Sequence, residues 1–212
     1  MYKDITGVIL AGGKSTRMGT NKSFLTLGSI TVIERVVNLM KSLFSSVILI
    51  TNQNEEYSFL NLPMYEDIYK GIGPLAGIHS ALINSSTEKC FIISCDIPLI
   101  TTEVIKYIVE FPTQKPITIA RADNFIQQLC GVYSKSLLPV IVNIVDENNN
   151  LPDEKRNPEQ QKRGCRVLQL VKTVDSEIID IEKEYEDYIP GTFYNMNNPE
   201  EYKYIQGHLL SF

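Results

Sequence analysis

A glycine-rich, cationic segment holds the chain's most specific chemistry: Leu10-Ala11-Gly12-Gly13-Lys14-Ser15-Thr16-Arg17-Met18-Gly19-Thr20-Asn21-Lys22. Glycines let backbone N–H groups come close to an anion, and Lys14, Arg17 and Lys22 neutralise what those amides cradle. The segment follows an apolar run at Ile5–Leu10, so it reads as a polyphosphate site at the end of a first strand. A P-loop could end in Gly13-Lys14-Ser15, but its first glycine would fall at residue 8, where Val8 stands inside the strand. A plain strand-to-helix turn would need neither Arg17 nor Lys22.

A second reactive group is Asp96, in Cys95-Asp96-Ile97-Pro98, directly after the apolar residues 91–93. Pro98 lacks an N–H and helps end that strand, which leaves Asp96 at its carboxyl edge. In open α/β sheets, ligands bind outside those edges where strand order reverses. Neighbouring strands would therefore put the glycine loop and Asp96 on one crevice. A carboxylate beside a triphosphate is repelled unless a divalent cation lies between them, and Mg²⁺ is the hard, oxygen-preferring candidate. Asp96 is thus the expected metal ligand, against the alternative of a cap for the turn at Thr101. Arg17 and Lys22 are the expected electrostatic catalysts: a cation about 4 Å from a phosphate oxygen contributes a few kcal/mol at an effective dielectric near 20. His79 and His208 lack a Ser or Cys in a suggestive setting, so no nucleophilic triad is expected.

The elements that must hold these groups follow from periodicity. Continuous apolar runs at Ile5–Leu10, Val47–Ile50, 91–93 and 117–119 suit strands covered on both faces. Helical stripes lie between them. Residues 31–43 line up Val32, Ile33, Val36, Val37, Met40 and Leu43, residues 74–82 start on Pro74, and Thr102–Glu110 begins with a Thr cap. This alternation predicts an α/β fold with a mainly parallel sheet in a single domain, residues 1–212. The polar stretch 146–161 is the expected flexible surface loop. Residues 163–171 and 198–210 are further expected helices, while Lys155, Arg156, Lys162, Arg163 and Arg166 read as a solvated face. Gly71-Ile72-Gly73-Pro74-Leu75-Ala76 fits a dinucleotide pattern in form, but it follows a turn instead of a first strand.

The chain has 212 residues, 43% hydrophobic and 21% charged, with formal net charge −5. That balance excludes a generic nucleic-acid surface. Residues 1–22 hold Lys3, Lys14, Arg17 and Lys22 against Asp4 alone, so positive charge gathers at the glycine loop. No apolar run reaches the roughly 18 residues of a membrane span, and the N-terminus does not read as a signal peptide; a cytoplasmic location is expected. Cys90, Cys95, Cys130 and Cys165 fit no zinc spacing, and Cys90 and Cys130 read as buried small hydrophobes.

The opening Leu-Ala-Gly-Gly-x-Ser-x-Arg-Met-Gly-x-x-Lys resembles that of the molybdenum cofactor guanylyltransferases, and similar Leu-Ala-x-Gly openings occur in other nucleotidyltransferases. Gly73-Pro74-Leu75-Ala76-Gly77-Ile78, Cys95-Asp96-Ile97-Pro98 and Asn195-Met196-Asn197-Asn198-Pro199-Glu200 are similar to that family's motifs, in its order. The resemblance runs from residue 6 to about 204. It implies a three-layer α/β/α Rossmann-like nucleotidyltransferase fold, with Leu10, Ala11, Gly12, Gly13, Lys22 and Gly77 around the nucleotide and Asp96 on Mg²⁺. It assigns Asn52 and Asp67 to the nucleoside; guanine's N1–H and amine are both donors, which a carboxylate suits. Read alone, Asn52 and Asp67 are turn residues. Gly12 is implied to leave room for a purine. Asn195 and Asn197 either complete the metal or pterin end of the site or form a polar turn capping the last helix. Gln127-Gln128 departs from the family, which commonly has Pro at the second position.

The implied reaction is transfer of GMP from GTP to molybdopterin or Mo-molybdopterin, with pyrophosphate released. The implied partners are those substrates and molybdoenzymes or their chaperones, with no nucleic acid and no membrane. The alternatives are a molybdopterin cytidylyltransferase, a sugar-phosphate nucleotidyltransferase, or a non-catalytic GTP-binding partner of molybdoenzymes.

Overall fold

The computed structural model describes residues 1–12, 21–149 and 167–209. A seven-stranded sheet forms its middle layer, in the order β5 (Met64–Tyr65), β4 (Val47–Ile50), β1 (Ile5–Leu10), β6 (Lys89–Ser94), β8 (Phe125–Ser134), β7 (Ile117–Ala122) and β9 (Ser176–Asp180). Strand β8 runs antiparallel to β6 and β7; the other pairings are parallel. A small hairpin, β2 (Thr26–Leu27) with β3 (Ile30–Thr31), stands apart.

Alternate residues of each strand serve opposite faces, which is why both faces can be covered. Ile9, Phe91 and Ile93 pack with helix α1 (Val32–Leu43) and helix α4 (Thr102–Glu110). Val8, Cys90 and Ile92 pack with α3 (Pro74–Asn84), α5 (Leu138–Asn149) and α6 (Val167–Thr173). The expected three layers and mainly parallel sheet are therefore present.

Helix α1 shows how local and tertiary preferences agree. Thr31 accepts from Glu34 N while Glu34 accepts from Thr31 N, a capping box that satisfies two backbone donors. The stripe Val32, Ile33, Val36, Val37, Met40 and Leu43 is buried; each such side chain contributes roughly 1.5–3 kcal/mol of gross burial energy. Two one-turn helices, α2 (Asn54–Tyr57) and α7 (Ile181–Glu184), and the longer α8 (Pro199–Leu209) are the other α-helices among the described residues.

Strands β7 and β8 form a hairpin across Asp123 and Asn124, both with positive φ (52° and 63°), the twist that a two-residue turn of this kind requires. Gly131 permits close passage beside the irregular register at Ile119 and Arg121. A Cβ there would lie 2.4 Å from the Thr118 carbonyl oxygen.

Three expectations are corrected. The cap of α4 is Thr101, whose hydroxyl accepts from Val104 N at 3.3 Å, not Thr102. The expected loop at 146–161 begins inside α5, which continues to Asn149 because Ile141, Ile144 and Val145 keep it against the sheet; the rest lies outside the described residues. The expected helix 163–171 is described from Val167, and it runs to Thr173.

Candidate active site

Strands β1 and β6 are parallel neighbours, with Leu10 opposite Ser94. From β1 the chain passes to β4 and β5 on one side, then returns to β6 on the other. The carboxyl ends of β1 and β6 thus flank the switch point, where an open sheet leaves room between diverging connections. Two clefts occupy it. One, of about 740 Å³, is lined by Leu10, Ala11, Gly12, Asn52, Asp67 and Gly77 among others. The second, of about 560 Å³, is bounded by Asp96, Asp123, Phe125, Gln127, Gln128 and Asn195 among others. Pro74, Ser94 and Leu129 line both, so the clefts adjoin there.

Lys22 and Asp96 meet beside this junction. Lys22 Nζ donates to Asp96 Oδ2 at 2.9 Å and to Asn197 Oδ1 at 3.0 Å. Residues 22, 96 and 197 are thus brought together from three distant parts of the chain. Each is held from behind. Asn21 caps the short turn Lys22–Phe24 by accepting from Ser23 N, and it also donates to the hydroxyl of buried Tyr57 in α2 at 3.0 Å. Burial raises the Tyr57 pKa, so that anchor stays a neutral phenol. Arg35 of α1 donates from Nε to the Pro98 carbonyl at 2.9 Å, and Met196 N donates to the Asp96 carbonyl at 2.8 Å. The loop carrying Asp96 is therefore tied on two sides.

The open question over 195–198 divides between residues. Asn198 caps α8, its Oδ1 accepting from Glu200 N and Glu201 N at 3.0 and 2.9 Å. Its neighbour Asn197 faces Lys22, and Asn195 lines the second cleft. Nor does the Asp96 side chain cap the Thr101 turn: Thr101 supplies that itself.

At the far side of the first cleft, Asn52 Nδ2 donates to Asp67 Oδ2 at 2.7 Å. Asn52 Oδ1 accepts from Asp67 N at 3.2 Å and from Lys70 Nζ at 2.9 Å, and these two donors fix which way its amide points. Gly77, in α3, brings that helix close: a Cβ would stand 3.3 Å from a Leu10 methyl and 3.7 Å from Asp67 Oδ1. Around Gly12 no described atom lies within 4 Å of where a Cβ would be.

Two oxygens, Asp96 Oδ2 and Asn197 Oδ1, converge on one positive charge, so a cation-binding point exists beside the junction. Among the described residues no group of three His, Cys, Asp or Glu could form a metal cage. Cys95, next to Asp96, is buried, and burial pushes its thiol up to about 12; it is not a nucleophile. Cys90 and Cys130 are buried as expected. Arg17, Gly13, Lys14 and Cys165 lie outside the described residues. Sequence reasoning missed Ser94, Asp123 and Phe125, which only the pairing of strands brings to the clefts, and Lys70, which reaches Asn52.

The family model described as the MobA-like NTP transferase domain matches residues 7–156. A Carboxydothermus hydrogenoformans protein named "Probable molybdenum cofactor guanylyltransferase" is 42% identical over 139 residues, 66% of this chain and 70% of its own. A Clostridium perfringens (strain 13 / Type A) protein of the same name is 33% identical over 199 residues, 93% of this chain and 94% of its own. The crystal structure of molybdopterin-guanine dinucleotide biosynthesis protein A from Archaeoglobus fulgidus shares the fold, with TM-score 0.76, 19% identity, and coverage of 98% of this chain and 100% of that one. With a match that runs through the glycine loop, the strands flanking the switch point and Asp96, this chain belongs to the MobA-like NTP transferase family.

Proposed function

We propose that this protein transfers GMP from GTP to molybdopterin or its molybdenum-loaded form, releasing pyrophosphate. One observation carries the reading: two clefts adjoin at Ser94, beside the Lys22–Asp96 pair, in a chain of this family. A donor nucleotide in one cleft and an acceptor phosphate in the other would meet where a charged pair waits.

The nucleotide takes the cleft beneath Gly12, and Asp67 accepts from the N1–H and amine of guanine while Asn52 holds that carboxylate in place. An oxygen of the acceptor phosphate attacks the α-phosphorus as the α–β P–O bond breaks, and pyrophosphate leaves with the electron pair. The acceptor phosphate is already ionised, so no strong protein base is needed. Lys22, with Arg17 in the glycine loop, offsets the charge that moves onto the leaving group.

Asp96 and the Asn197 amide oxygen are the residues that would hold Mg²⁺, with triphosphate oxygens completing its shell. A lone carboxylate fits, since this ion is usually held by one or two carboxylates plus substrate phosphates. When bound, it supplies charge neutralisation at the reacting phosphates. The setting of this chemistry is the cytoplasm.

Purified protein given GTP, molybdopterin and Mg²⁺ should release pyrophosphate and form the guanine dinucleotide, with CTP a poor replacement. No pyrophosphate from that mixture, or from one with Mo-molybdopterin, would overturn the enzyme reading. A preference for CTP would overturn the choice of base.

A further inference from the structure

The second cleft is chemically lopsided. Its described lining residues include two carboxylates, Asp96 and Asp123, and no lysine or arginine. Among the described residues, the positive charge beside it is Lys22, at the Asp96 end. An acceptor with one anionic end has its described counter-charge by Asp96 and Ser94, which leaves the Asp123 end for the rest of its body.

What stands there is the arm formed by β7 and β8. Pairing between β6 and β8 ends at Ile93 with Cys130, yet β8 starts at Phe125, five residues further out. At roughly 3.4 Å per residue β8 runs about 17 Å beyond its last pair with β6, while β7 stays paired with β9 as far as Arg121. Residues 125–129 of this overhang all line the cleft. The tip is held: Asp123 N donates to Glu182 Oε1 at 3.0 Å, and Gln127 Nε2 donates to the Ala122 carbonyl at 3.3 Å. It presents an aromatic ring, Phe125, 71% exposed yet lining the cleft, and the Asp123 carboxylate, which accepts no hydrogen bond from a described residue.

We infer that this arm reads the acceptor's heterocycle: the Asp123 carboxylate accepts from the 2-amino and ring N–H donors of an aminopyrimidinone ring, and Phe125 covers the ring face. The inference rests on the proposed reaction, whose two substrates share that edge. Guanine and a pterin both present an amine and an adjacent N–H beside a carbonyl, so one kind of reader serves both clefts, Asp67 in the first and Asp123 in the second. A carboxylate facing two parallel donors is the arrangement that gives geometric selectivity as well as strength. A flat aromatic surface adds affinity without regard to the ring's substituents.

The test separates these two contributions with free pterin and its 2-oxo counterpart lumazine, both fluorescent, titrated into the whole protein. Wild type should bind pterin about tenfold or more tightly than lumazine, since a 2-oxo group in place of the amine leaves one carboxylate oxygen without its donor and facing a carbonyl. Asp123→Asn should abolish that preference. Phe125→Ala should weaken both ligands about tenfold and relieve the quenching of their fluorescence, and Phe125→Tyr should restore both. Equal affinity of wild type for the two ligands, or variants that bind as wild type does, would overturn the inference. The transfer assay is a separate outcome: GMP transfer without pterin preference removes this inference alone, and absence of transfer removes the reading beneath it.

Discussion

The proposed reaction gives Lys22 a second job beside its ion pair, and a single substitution separates the two. Its ammonium pairs with Asp96 at 2.9 Å, both side chains about one-fifth exposed. Ion pairs open to water contribute little to folding, about 0–1 kcal/mol. The same charge acting on a pyrophosphate as it departs is worth much more, because it strengthens as the reaction proceeds. Lys22→Met should therefore leave the thermal midpoint within a few degrees of wild type while kcat falls about 100-fold. Steady-state kinetics beside a melting curve check this. A large stability loss with little change in kcat would make Lys22 a structural residue instead.

At the scale of elements, α3 carries a titratable group that has no part in the reaction. His79 is buried within it, its ring 4.8 Å from that of Tyr69 and its Nδ1 without a partner. Burial lowers its proton affinity below the ordinary value of 6.5. Above that pH the ring is neutral whether the chain is folded or not, and it has no effect on stability. As pH falls through 6.5 the unfolded chain takes up a proton that the folded chain resists, so stability declines until the lowered folded value is passed. Melting temperatures measured from pH 7.5 to 5 should fall less steeply for His79→Phe and His79→Gln than for wild type; parallel slopes would refute the assignment.

Elements also mark how far the sequence could be read. The apolar runs of β1, β4 and β6 and the stripes of α1 and α4 are local patterns, so their existence was legible from spacing alone. So was the place of Asp96 just past the carboxyl end of β6, beside the end of β1; most of the glycine loop lies outside the described residues. The end of α5 was misread, since Asp146 and the polar residues after it look like a loop until Val145 is seen packed on the sheet. The direction of β8 was not legible either, and with it went Asp123 and Phe125. An antiparallel strand has the same local pattern as a parallel one, and only its partners decide where its first residues protrude. The split between Asn197 and Asn198 likewise depends on a lysine 175 residues away.

At the scale of the fold, the site is completed by residues that follow the whole sheet in sequence. The sheet is complete by Asp180, the end of β9, whereas Asn195 reaches the second cleft and Asn197 reaches Lys22 on either side of Met196, which is pinned to the Asp96 carbonyl and buried with Leu27, Val32 and Ile205. A chain ending at residue 190 should keep its sheet, seen as near-native circular dichroism, yet lose GMP transfer. Retained transfer would show that the last segment is dispensable. Synthesis runs from the N-terminus, so the glycine loop and Asp96 leave the ribosome long before the residues that lock them together. A chain that has not yet reached residue 197 can thus own a folded sheet while its Lys22–Asp96 pair still lacks Asn197. If Lys22 and Asp96 act as proposed, the hydrogen bond from Met196 N to the Asp96 carbonyl makes activity a report on synthesis past residue 197, separating a chain whose sheet has folded from one whose site is assembled.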